Sequence, residues 1–596
     1  MLKRINCLIA AGLLTGLLMP GRLLGQTTFA TITGAVTDSS GAVIPGAEVT
    51  ATHVATNITT RTQANDSGIY TIAQLKEGEY VVRASSAGFK EFVAGKLLLE
   101  ARDYRRLDIR LEPGAVADKV EVTAGAALIE TETARISDTR TAQQLTTLPR
   151  EGTGVSQYFT LTPGFNKRTD AAASFNGSRN GEAIYTIDGN TFSDGSSNEN
   201  FNGPLSRSTE WYQELKLDVV NNGAEYGTLA NVTIVSKSGS NELHGSAYDY
   251  YSSPFMRARD PFATERASGV SHRVGFTVGG PIYLPRIYNG KDRTFFFLTY
   301  DIGRQGLVTE LLNPGVPLEA WRRGDFSGQG IQIRNPFTGE VYRDGRIPAS
   351  QINPVARKIQ DRFYPLPNFG DPNVFVAGNF RQNISYPFRS PVSAGARLDH
   401  RFSDRDSVFA RYTIAQTHFN SWDGGLPAFG PREQFRRIKG LTVSYTHTFN
   451  RSLVNEVRFG HHFNNNPGQG PLDGQEIVRD LGLQGLAPNL PNLRGAFNLG
   501  WTGIAIRRLT QTSWRRPLAL NKIEQFQDNF SYFLGRHSLK TGVDFRRVQS
   551  ASRTAGDGLF GNVTFANTYT RAPGVANSGH PYADFLFGVP TSASRN

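Results

Sequence analysis

The chain has 596 residues, a formal net charge of +12, and 62 glycines with 30 prolines. Its length allows several domains of about 100 to 200 residues each, and its glycine and proline content favours strands and turns over long helices. Lysines and arginines are scattered without a dense run, which disfavours nucleic-acid binding and favours contact with anionic lipid. The ten histidines lack His-Glu-x-x-His and His-x-x-Glu spacing and no glycine-rich phosphate loop is present, so we expect no enzyme, metal site or cofactor.

Residues 1–25 have the pattern of a signal peptide. Lys3 and Arg4 give a positive start, an apolar stretch follows from Leu8 to Leu18, and Gly25 is a small residue suited to cleavage. A buried N-terminal helix is the alternative, which the polar sequence that follows disfavours. Cys7, the single cysteine, lies in the apolar stretch, so no disulfide or thiolate metal site is expected in the exported chain.

Residues 28–113 alternate short strand patterns with glycine and aspartate turns, which predicts a small β-sandwich. The region resembles the carboxypeptidase regulatory-like domain in the motifs Ile44-Pro45-Gly46-Ala47, Asp66-Ser67-Gly68-Ile69-Tyr70 and Ala87-Gly88-Phe89. Such folds are often classed as carbohydrate-binding-like, but a fold alone supports no sugar site. Two roles therefore stay open, a spacer or adaptor in the periplasm and a ligand-binding domain.

Residues 118–125 form a short segment between two domains. Val120 and Val122 lie on one face, and Glu121 and Thr123 lie at alternate positions. This pattern predicts a free edge strand that a partner protein can bind by adding a strand of its own. The alternative is that the segment is the first strand of the following domain.

Residues 126–241 contain a series of motifs that predicts several strands, tight turns and a short helix. The motifs from residue 176 to residue 282 are Asn176-Gly177-Ser178-Arg179, Tyr185-Thr186-Ile187-Asp188-Gly189, Ser236-Lys237-Ser238-Gly239 and Gly279-Gly280-Pro281-Ile282. Their order and spacing resemble the plug and first barrel strands of outer-membrane TonB-dependent receptors of the Oar-like type. The resemblance implies that residues 118–125 are the TonB box, the segment that a TonB-like periplasmic energy transducer pulls.

Four charged residues of this plug are candidates for contacts with the barrel wall. A plug inside a water-filled barrel must bind the wall and still be movable, and polar or ionic contacts permit this better than a dry core. The alternative is that these residues are solvated surface charges. The four are Arg179, Asp188, Glu214 and Lys237.

Residues 191–207 are rich in serine, asparagine and glycine, which predicts loops. In a plug, such loops can face the outside and contact a ligand. The candidate ligand-facing residues are Phe192, Phe201 and Asn202.

From residue 242 onward, apolar and polar residues alternate with a period of two, as at Val274, Phe276 and Val278. Such segments fit transmembrane strands of about 9 to 11 residues with one face toward lipid, although a soluble sandwich gives a similar alternation. Short connections such as 403–406 alternate with long, loop-like ones such as 304–391. This alternation favours an outer-membrane barrel with short periplasmic turns and long outer loops.

Residues 242–596 have room for about 10 to 12 spans, whereas transporter barrels with a plugged lumen use about 22 strands. The last residues, 591–596, lack an apolar alternating strand and a final aromatic residue. We therefore expect an incomplete barrel and an N-terminal portion of a longer receptor.

The predicted fold is mainly β: a small β-sandwich, an α+β plug and part of an antiparallel transmembrane β-barrel. The resemblance implies a receptor in the outer membrane of a Gram-negative-type bacterium, with the sandwich in the periplasm. It would take up a siderophore, an oligosaccharide or a peptide with energy from the inner membrane. The expected partners are the TonB-like transducer, outer-membrane lipid and that ligand, without nucleic acid or a cofactor. The alternative function is a surface β-barrel protein for adhesion or matrix assembly without active transport.

Overall fold

The structure is a computed structural model that describes most of the chain from residue 28 onward. The predicted signal peptide lies outside the described residues, and within them no helix is long and apolar enough to cross a membrane. The described ranges are 28–114, 119–123, 135–148, 155–167, 173–178, 183–192, 209–223, 225–259, 269–306, 308–386, 391–422, 425–469, 471–483, 494–510, 519–534, 537–552 and 560–595.

The first domain is a β-sandwich of two sheets that share one apolar core. Alternate side chains of its strands, such as Ile32, Val49 and Val82, are buried between the sheets. One sheet has the order β4-β1-β7 with β8 also paired to β1, and the other has the order β3-β2-β5-β6-β9. The strands are β1 (Ala30–Thr37), β2 (Glu48–His53), β3 (Thr59–Gln63), β4 (Ile69–Leu75), β5 (Gly78–Ser85), β6 (Glu91–Leu99), β7 (Tyr104–Arg106), β8 (Ile109–Arg110) and β9 (Lys119–Thr123).

Strand β9 lies within residues 118–125, where the sequence predicts a free edge strand, and it is attached to the sandwich. It runs parallel to β6, with Glu91 opposite Lys119 and Gly95 opposite Thr123, and it is the edge strand of the sandwich sheet. It is therefore neither unpaired nor the first strand of the plug. An alternating valine pattern fits any strand with one covered face, so the sequence could not identify the sheet that accepts it.

The second domain is an α+β plug built on a mixed five-stranded sheet with the order β10-β15-β16-β13-β14, in which β13 runs parallel to β16. Helix α1 begins with a capping box, because Thr141 and Gln144 each accept a hydrogen bond from the other's backbone N–H. Apolar side chains such as Leu145, Phe159 and Leu215 form its core. The elements are β10 (Ile136–Thr141), α1 (Ala142–Thr147), β11 (Phe165–Lys167), β12 (Ala173–Phe175), β13 (Ala183–Ile187), β14 (Asn190–Thr191), β15 (Tyr212–Val220) and β16 (Ala230–Ser236).

The rest of the described chain forms a large antiparallel sheet and the segments that connect its strands. In chain order its elements are β17 (His244–Asp249), β18 (Ser271–Pro281), β19 (Tyr283–Leu284), β20 (Tyr288–Asn289), β21 (Thr294–Gln305), β22 (Val308–Leu312), α2 (Glu319–Arg322), β23 (Ile333–Arg334), β24 (Val341–Tyr342), α3 (Pro354–Phe363), β25 (Gln382–Tyr386), β26 (Val392–Arg401), β27 (Asp406–Trp422), β28 (Pro431–Asn450), β29 (Leu453–Asn465), β30 (Gly468–Gln469), α4 (Gly474–Leu481), β31 (Asn498–Trp501), β32 (Ala519–Leu534), β33 (His537–Ser552), β34 (Asn562–Phe565), α5 (Pro581–Phe587) and β35 (Ser592–Ser594).

The large sheet has the strand order β17-β18-β21-β26-β27-β28-β29-β32-β33, with β30 added beside β28. Within the described residues the wall has nine strands, of which β17 is only 6 residues long, against the room for about 10 to 12 spans that the sequence offers. The described parts of residues 306–391 and 466–518 form other structure between the spans. Neighbouring spans are antiparallel and in sequence order, as in an up-and-down barrel wall.

Burial along these spans distinguishes a lipid-facing wall from a soluble sandwich. Outward apolar side chains are exposed, with Phe276 at 47% and Tyr412 at 46%, whereas Asp301 and Thr413 on the inner face are fully buried. A soluble sheet has the opposite arrangement, with apolar residues covered and polar residues in water. The polar inner face surrounds the plug, so the alternation belongs to a membrane barrel wall.

The long connections are folded, which corrects the prediction that they are loop-like. Helices α2 to α5 and their neighbouring strands share one apolar core at the end of the wall opposite the short turns. In that core the rings of Trp501 and Tyr582 stack with centroids 5.5 Å apart, and the Trp501 indole donates to the Tyr364 hydroxyl at 3.2 Å. We call this unit the cap. Proline and glycine between its short elements gave a loop-like sequence pattern.

Candidate gate between plug and barrel wall

Asp188 lies at the tip of the turn that joins β13 to β14. Its φ is 48°, and the following Gly189 has a φ of 79°. An Asp-Gly pair adopts this left-handed turn at little cost, because aspartate tolerates the conformation and glycine has no Cβ. The turn places the Asp188 carboxylate, which is buried, against the inner face of the wall.

Two wall arginines and one plug serine hold this carboxylate. Arg411 of β27 donates from Nε to Oδ2 at 2.5 Å, and Arg397 of β26 has Nη1 at 3.5 Å from Oδ1. Ser236 of the plug donates from its backbone N–H at 2.9 Å and from its hydroxyl at 2.8 Å. A buried carboxylate with both charge compensation and hydrogen bonds stays ionised, and removing a partner is costly.

The ion pairs continue from this point to the sandwich. Arg397 donates from Nε to Asp399 at 2.9 Å and from Nη2 to the same carboxylate at 3.1 Å. Asp399, also on β26, forms a short ion pair with Lys76 of the sandwich. Alternating charges therefore connect the sandwich, the wall and the plug in one network.

The short strand β14 touches the wall through polar groups and through close backbone approach. Asn190 donates to the Thr442 hydroxyl at 2.9 Å, and the Thr191 N–H donates to the Gln525 side chain at 2.8 Å. A Cβ on Gly189 would overlap the Arg458 guanidinium. The plug tip therefore fits the wall closely, but its directional contacts are polar.

A second ionic cluster joins the plug to the sandwich. The loop after β6 inserts Arg102, which forms a short buried ion pair with Asp218 of β15. The neighbouring Asp103 accepts a hydrogen bond from Lys216 at 2.9 Å. These charged groups are almost completely buried, so each depends on its partner for the stabilisation that water no longer provides.

Of the predicted wall contacts, the structure places Asp188 against the wall and places two residues elsewhere. Glu214 accepts a hydrogen bond from the Ala101 N–H at 2.7 Å, so it faces the sandwich. Burial raises the pKa of the Glu214 carboxyl well above its ordinary value. Lys237 Nζ lies 3.9 Å from Glu210 of the plug itself. Glu214 lies within β15 and Lys237 directly follows β16, and the sequence pattern does not specify which side either residue faces.

Of the predicted ligand-facing residues, the structure describes Phe192 alone. Phe192 is buried, and its ring packs against Tyr185 of the plug and His462 of the wall at centroid distances of 6.3 Å each. It is therefore part of the seam between plug and wall, a correction to its predicted role. Phe201, Asn202 and the predicted wall contact Arg179 lie outside the described residues.

The sequence does not indicate most of the partners that complete the two clusters, which are Lys76, Arg102, Asp103, Lys216, Asp218, Arg397, Asp399 and Arg411. For Arg397 and Asp399, the pattern of charges along the strand is an indication. In β26 the Arg397-Leu398-Asp399 pattern puts two charges on the face opposite an outward leucine. Charges at period two within an apolar-out strand indicate a polar lumen and a charged occupant.

Two family models match this chain. A model described as outer membrane beta barrel domain matches residues 235–596, more than half of the chain, and a model described as carboxypeptidase regulatory-like domain matches residues 31–112. Together with the plugged, apolar-out wall, these matches define an outer-membrane protein with a β-barrel. The chain belongs to the outer-membrane β-barrel domain family, and the predicted mainly β fold is confirmed.

Within that family the chain is similar to the TonB-dependent transporter Oar of Myxococcus xanthus. The two are 26% identical over 613 residues, which cover 94% of this chain and 53% of Oar. The chain thus spans about half the length of this relative. The resemblance to Oar-like TonB-dependent receptors with an N-terminal carboxypeptidase regulatory-like domain is confirmed.

Solved structures of outer-membrane receptors align with parts of this chain. The outer membrane transporter YddB from Escherichia coli aligns with a TM-score of 0.40 and 10% identity, covering 72% of this chain and 50% of that one. The ferric enterobactin receptor PfeA from Pseudomonas aeruginosa aligns with a TM-score of 0.38 and 13% identity, covering 69% and 48%. At these scores neither alignment supports a conclusion about function.

Proposed function

We propose that this chain supplies the sandwich, the plug and part of the wall of a TonB-dependent transporter in the outer membrane. The observation that supports this best is the pair of buried ion pairs that Arg411 and Arg397 of the wall form with Asp188 of the plug. These ion pairs are buried and costly to break while the plug rests in the wall, but in a polar lumen water can solvate the separated groups once the plug has moved. An apolar seam would instead expose its area to water at about 25 cal/mol per Å², which makes repeated opening harder.

In this proposal the transducer binds at β9. As the edge strand of its sheet, β9 has one side paired with β6 and the other side facing away from the sheet. An edge strand offers backbone donors and acceptors to an added strand. Val120, Glu121, Val122 and Thr123 are therefore the proposed contact with a TonB-like periplasmic protein, and the sandwich lies in the periplasm.

The proposed direction of transport follows from the two ends of the wall. The sandwich contacts the end with short turns, where Arg401 donates to the Thr59 carbonyl at 3.0 Å, and the cap lies at the other end. Short turns face the periplasm in outer-membrane barrels, and long connections face outward. A siderophore, oligosaccharide or peptide would bind at the cap and pass the wall after the plug has moved.

The test is deletion of residues 120–123 in cells that produce the receptor containing this chain. We expect loss of crosslinking to the transducer and loss of uptake from a panel of ferric siderophores, oligosaccharides and peptides. The matched control is Val54→Ala, a change at an exposed site of the same sandwich, which should leave both signals unchanged. If the deletion changes neither signal, energised transport is wrong and a surface role in adhesion or matrix assembly takes its place.

A further inference from the structure

Strand β6 connects the two contacts that matter most for a pulled receptor. Its edge pairs with β9 over the five residues 119–123. Its C-terminal end at Leu99 leads directly into residues 100–103, which lie against the plug strand β15. The same strand of the sandwich thus holds the proposed transducer segment and adjoins the plug.

The contact between residues 100–103 and β15 is a compact latch. Arg102, at a φ of 66°, pairs with Asp218 and places its guanidinium carbon 3.9 Å from the ring centre of Tyr226. Asp103 accepts from Lys216, and the Ala101 N–H donates to Glu214. We refer to residues 100–103 and their β15 partners as the latch.

The latch is drier than the contacts between the sandwich and the wall. In the latch, the Arg102 and Asp218 side chains are 2% and 0% exposed, whereas Lys76, which binds the wall residue Asp399, is 34% exposed. Separating Arg102 from Asp218 leaves a buried guanidinium without compensation, and Asp218 keeps Arg135, while a lysine that is one-third exposed exchanges its partner for water. The sandwich should therefore leave the wall more readily than it leaves the plug.

We propose that the edge of β6 is a strand-binding site whose occupant is residues 119–123 of the same chain, and that the sandwich transmits a pull on this strand to the plug through the latch. The inference rests on the proposed function, because it assumes that a transducer pulls β9. A force along β9 is shared by all of its backbone hydrogen bonds to β6. These bonds therefore resist the force together, and the strand and the sandwich move as one unit. The alternative is that β9 leaves β6 and pulls the plug directly through residues 124–134.

The experiment follows plug movement without knowledge of the ligand. Thr191→Cys places a thiol in the buried seam between plug and wall, and a small charged maleimide added to whole cells labels it only when the seam opens. The background carries Cys7→Ser, since Cys7 is the one cysteine among these 596 residues. Labelling is measured in energised cells and in cells treated with a protonophore. The labelling in treated cells is subtracted as the background, and the difference is the energised labelling.

The first arm adds Glu91→Cys and Lys119→Cys, a pair in direct register, to tether β9 to β6 by a disulfide. We expect energised labelling in the oxidised form to stay within about twofold of the same variant after reduction. A loss of labelling that reduction restores would overturn the inference, because the strand then has to leave the sandwich.

The second arm breaks the latch with Arg102→Ala. We expect at least a tenfold loss of energised labelling while crosslinking of β9 to the transducer is retained, and partial recovery with Arg102→Lys, which keeps the positive charge beside Asp218. Labelling equal to the parent in Arg102→Ala would overturn the inference. Failure of the proposed function gives a different result, namely that deletion of residues 120–123 leaves energised labelling intact.

Discussion

Asp188 of the plug and Arg411 of the wall form a hydrogen-bonded ion pair at 2.5 Å, and the two residues are only 2% and 5% exposed. Arg397 approaches the same carboxylate from the next wall strand. The carboxylate therefore separates two guanidinium groups that would otherwise repel each other in a dry site. The contact of the plug tip with both wall strands therefore depends on one plug residue, Asp188.

Asp188→Asn removes the charge and keeps nearly the same shape, which leaves the buried Arg411 without its ion-pair partner, while Arg397 keeps Asp399. We expect the free energy that holds the plug in the wall to fall by about 3 to 5 kcal/mol, the usual effect of breaking a buried pair. Hydrogen exchange of β13 to β16 in the reconstituted protein measures this. Asp404→Asn is the control, because Asp404 pairs with Arg401 at an exposed turn, and its effect should stay below about 1 kcal/mol. Equal exchange rates in the two variants would refute a special role for Asp188.

Gly189→Ala tests the close approach of the plug tip to the wall. The added Cβ would overlap the Arg458 guanidinium, and the φ of 79° adds backbone strain. Gly177→Ala is a matched control, since Gly177 has a φ of 75° but open space around its Cβ position. The control carries only the strain of a left-handed alanine, about 1 to 2 kcal/mol.

The two alanine variants should differ in limited proteolysis of the plug. We expect faster cleavage in Gly189→Ala than in Gly177→Ala, because the first also displaces Arg458 and the plug tip. Similar cleavage in both would mean that the strain of the backbone, and not the contact with the wall, determines the effect.

The sequence predicted the local elements better than their partners. The alternation at Val274, Phe276 and Val278 correctly indicates a wall strand, and the similar alternation at Val120 and Val122 correctly indicates a strand. The pattern does not say that the second strand pairs with β6, because that choice depends on contacts formed between distant segments. Asp188 was predictable from an Asp-Gly turn in a plug, whereas Glu214 faces the sandwich because β15 is covered by residues 100–103.

The cap was missed for a related physical reason. Its apolar residues, among them Trp321, Tyr364 and Trp501, come from connections that are far apart in the sequence. Each piece alone is too short and too rich in proline or glycine to indicate a core. Only their convergence above the wall buries enough apolar surface to form one.

His580 makes the stability of the cap depend on pH. Its ring lies against Trp321 and Phe326, and its Nδ1 accepts the Tyr582 N–H at the start of α5. Burial lowers the pKa of His580 from 6.5 to about 4. The unfolded cap therefore binds a proton more readily than the folded cap, so stability is lost as the pH falls from about 6.5 toward 4, by up to about 3 kcal/mol.

The variant His580→Asn keeps a side-chain acceptor for the helix start and removes this titration. Thermal unfolding followed by tryptophan fluorescence at pH 7 and pH 5 should show a smaller decrease in Tm for the variant than for the parent. Burial raises the pKa of Asp584 on the same helix, which acts with the opposite sign in both proteins and cancels in the comparison. His244→Asn, at an exposed site on β17, is the control and should keep the parent's pH response.

Tyr412→Arg tests whether the outer face of the sheet meets lipid. Tyr412 lies near the middle of β27, between the inward residues Arg411 and Thr413, and its side chain points outward. An arginine on the lipid face at the bilayer midplane costs about 2 to 4 kcal/mol, and the cost falls to about 0 to 1 kcal/mol near an interface. Phe449→Arg is the matched control, because Phe449 is equally exposed but lies at the end of β28 beside a short turn.

Unfolding by denaturant in lipid vesicles, on the receptor that contains this chain, measures the two costs. We expect Tyr412→Arg to lower the free energy of unfolding by at least about 1 kcal/mol more than Phe449→Arg, since only the first charge reaches hydrocarbon. A soluble sheet would place both arginines in water and give changes within about 0.5 kcal/mol of zero for both. Equal effects would therefore contradict a lipid-facing wall. A larger loss of unfolding free energy in Tyr412→Arg than in Phe449→Arg would show that Tyr412 lies deeper in the membrane than Phe449.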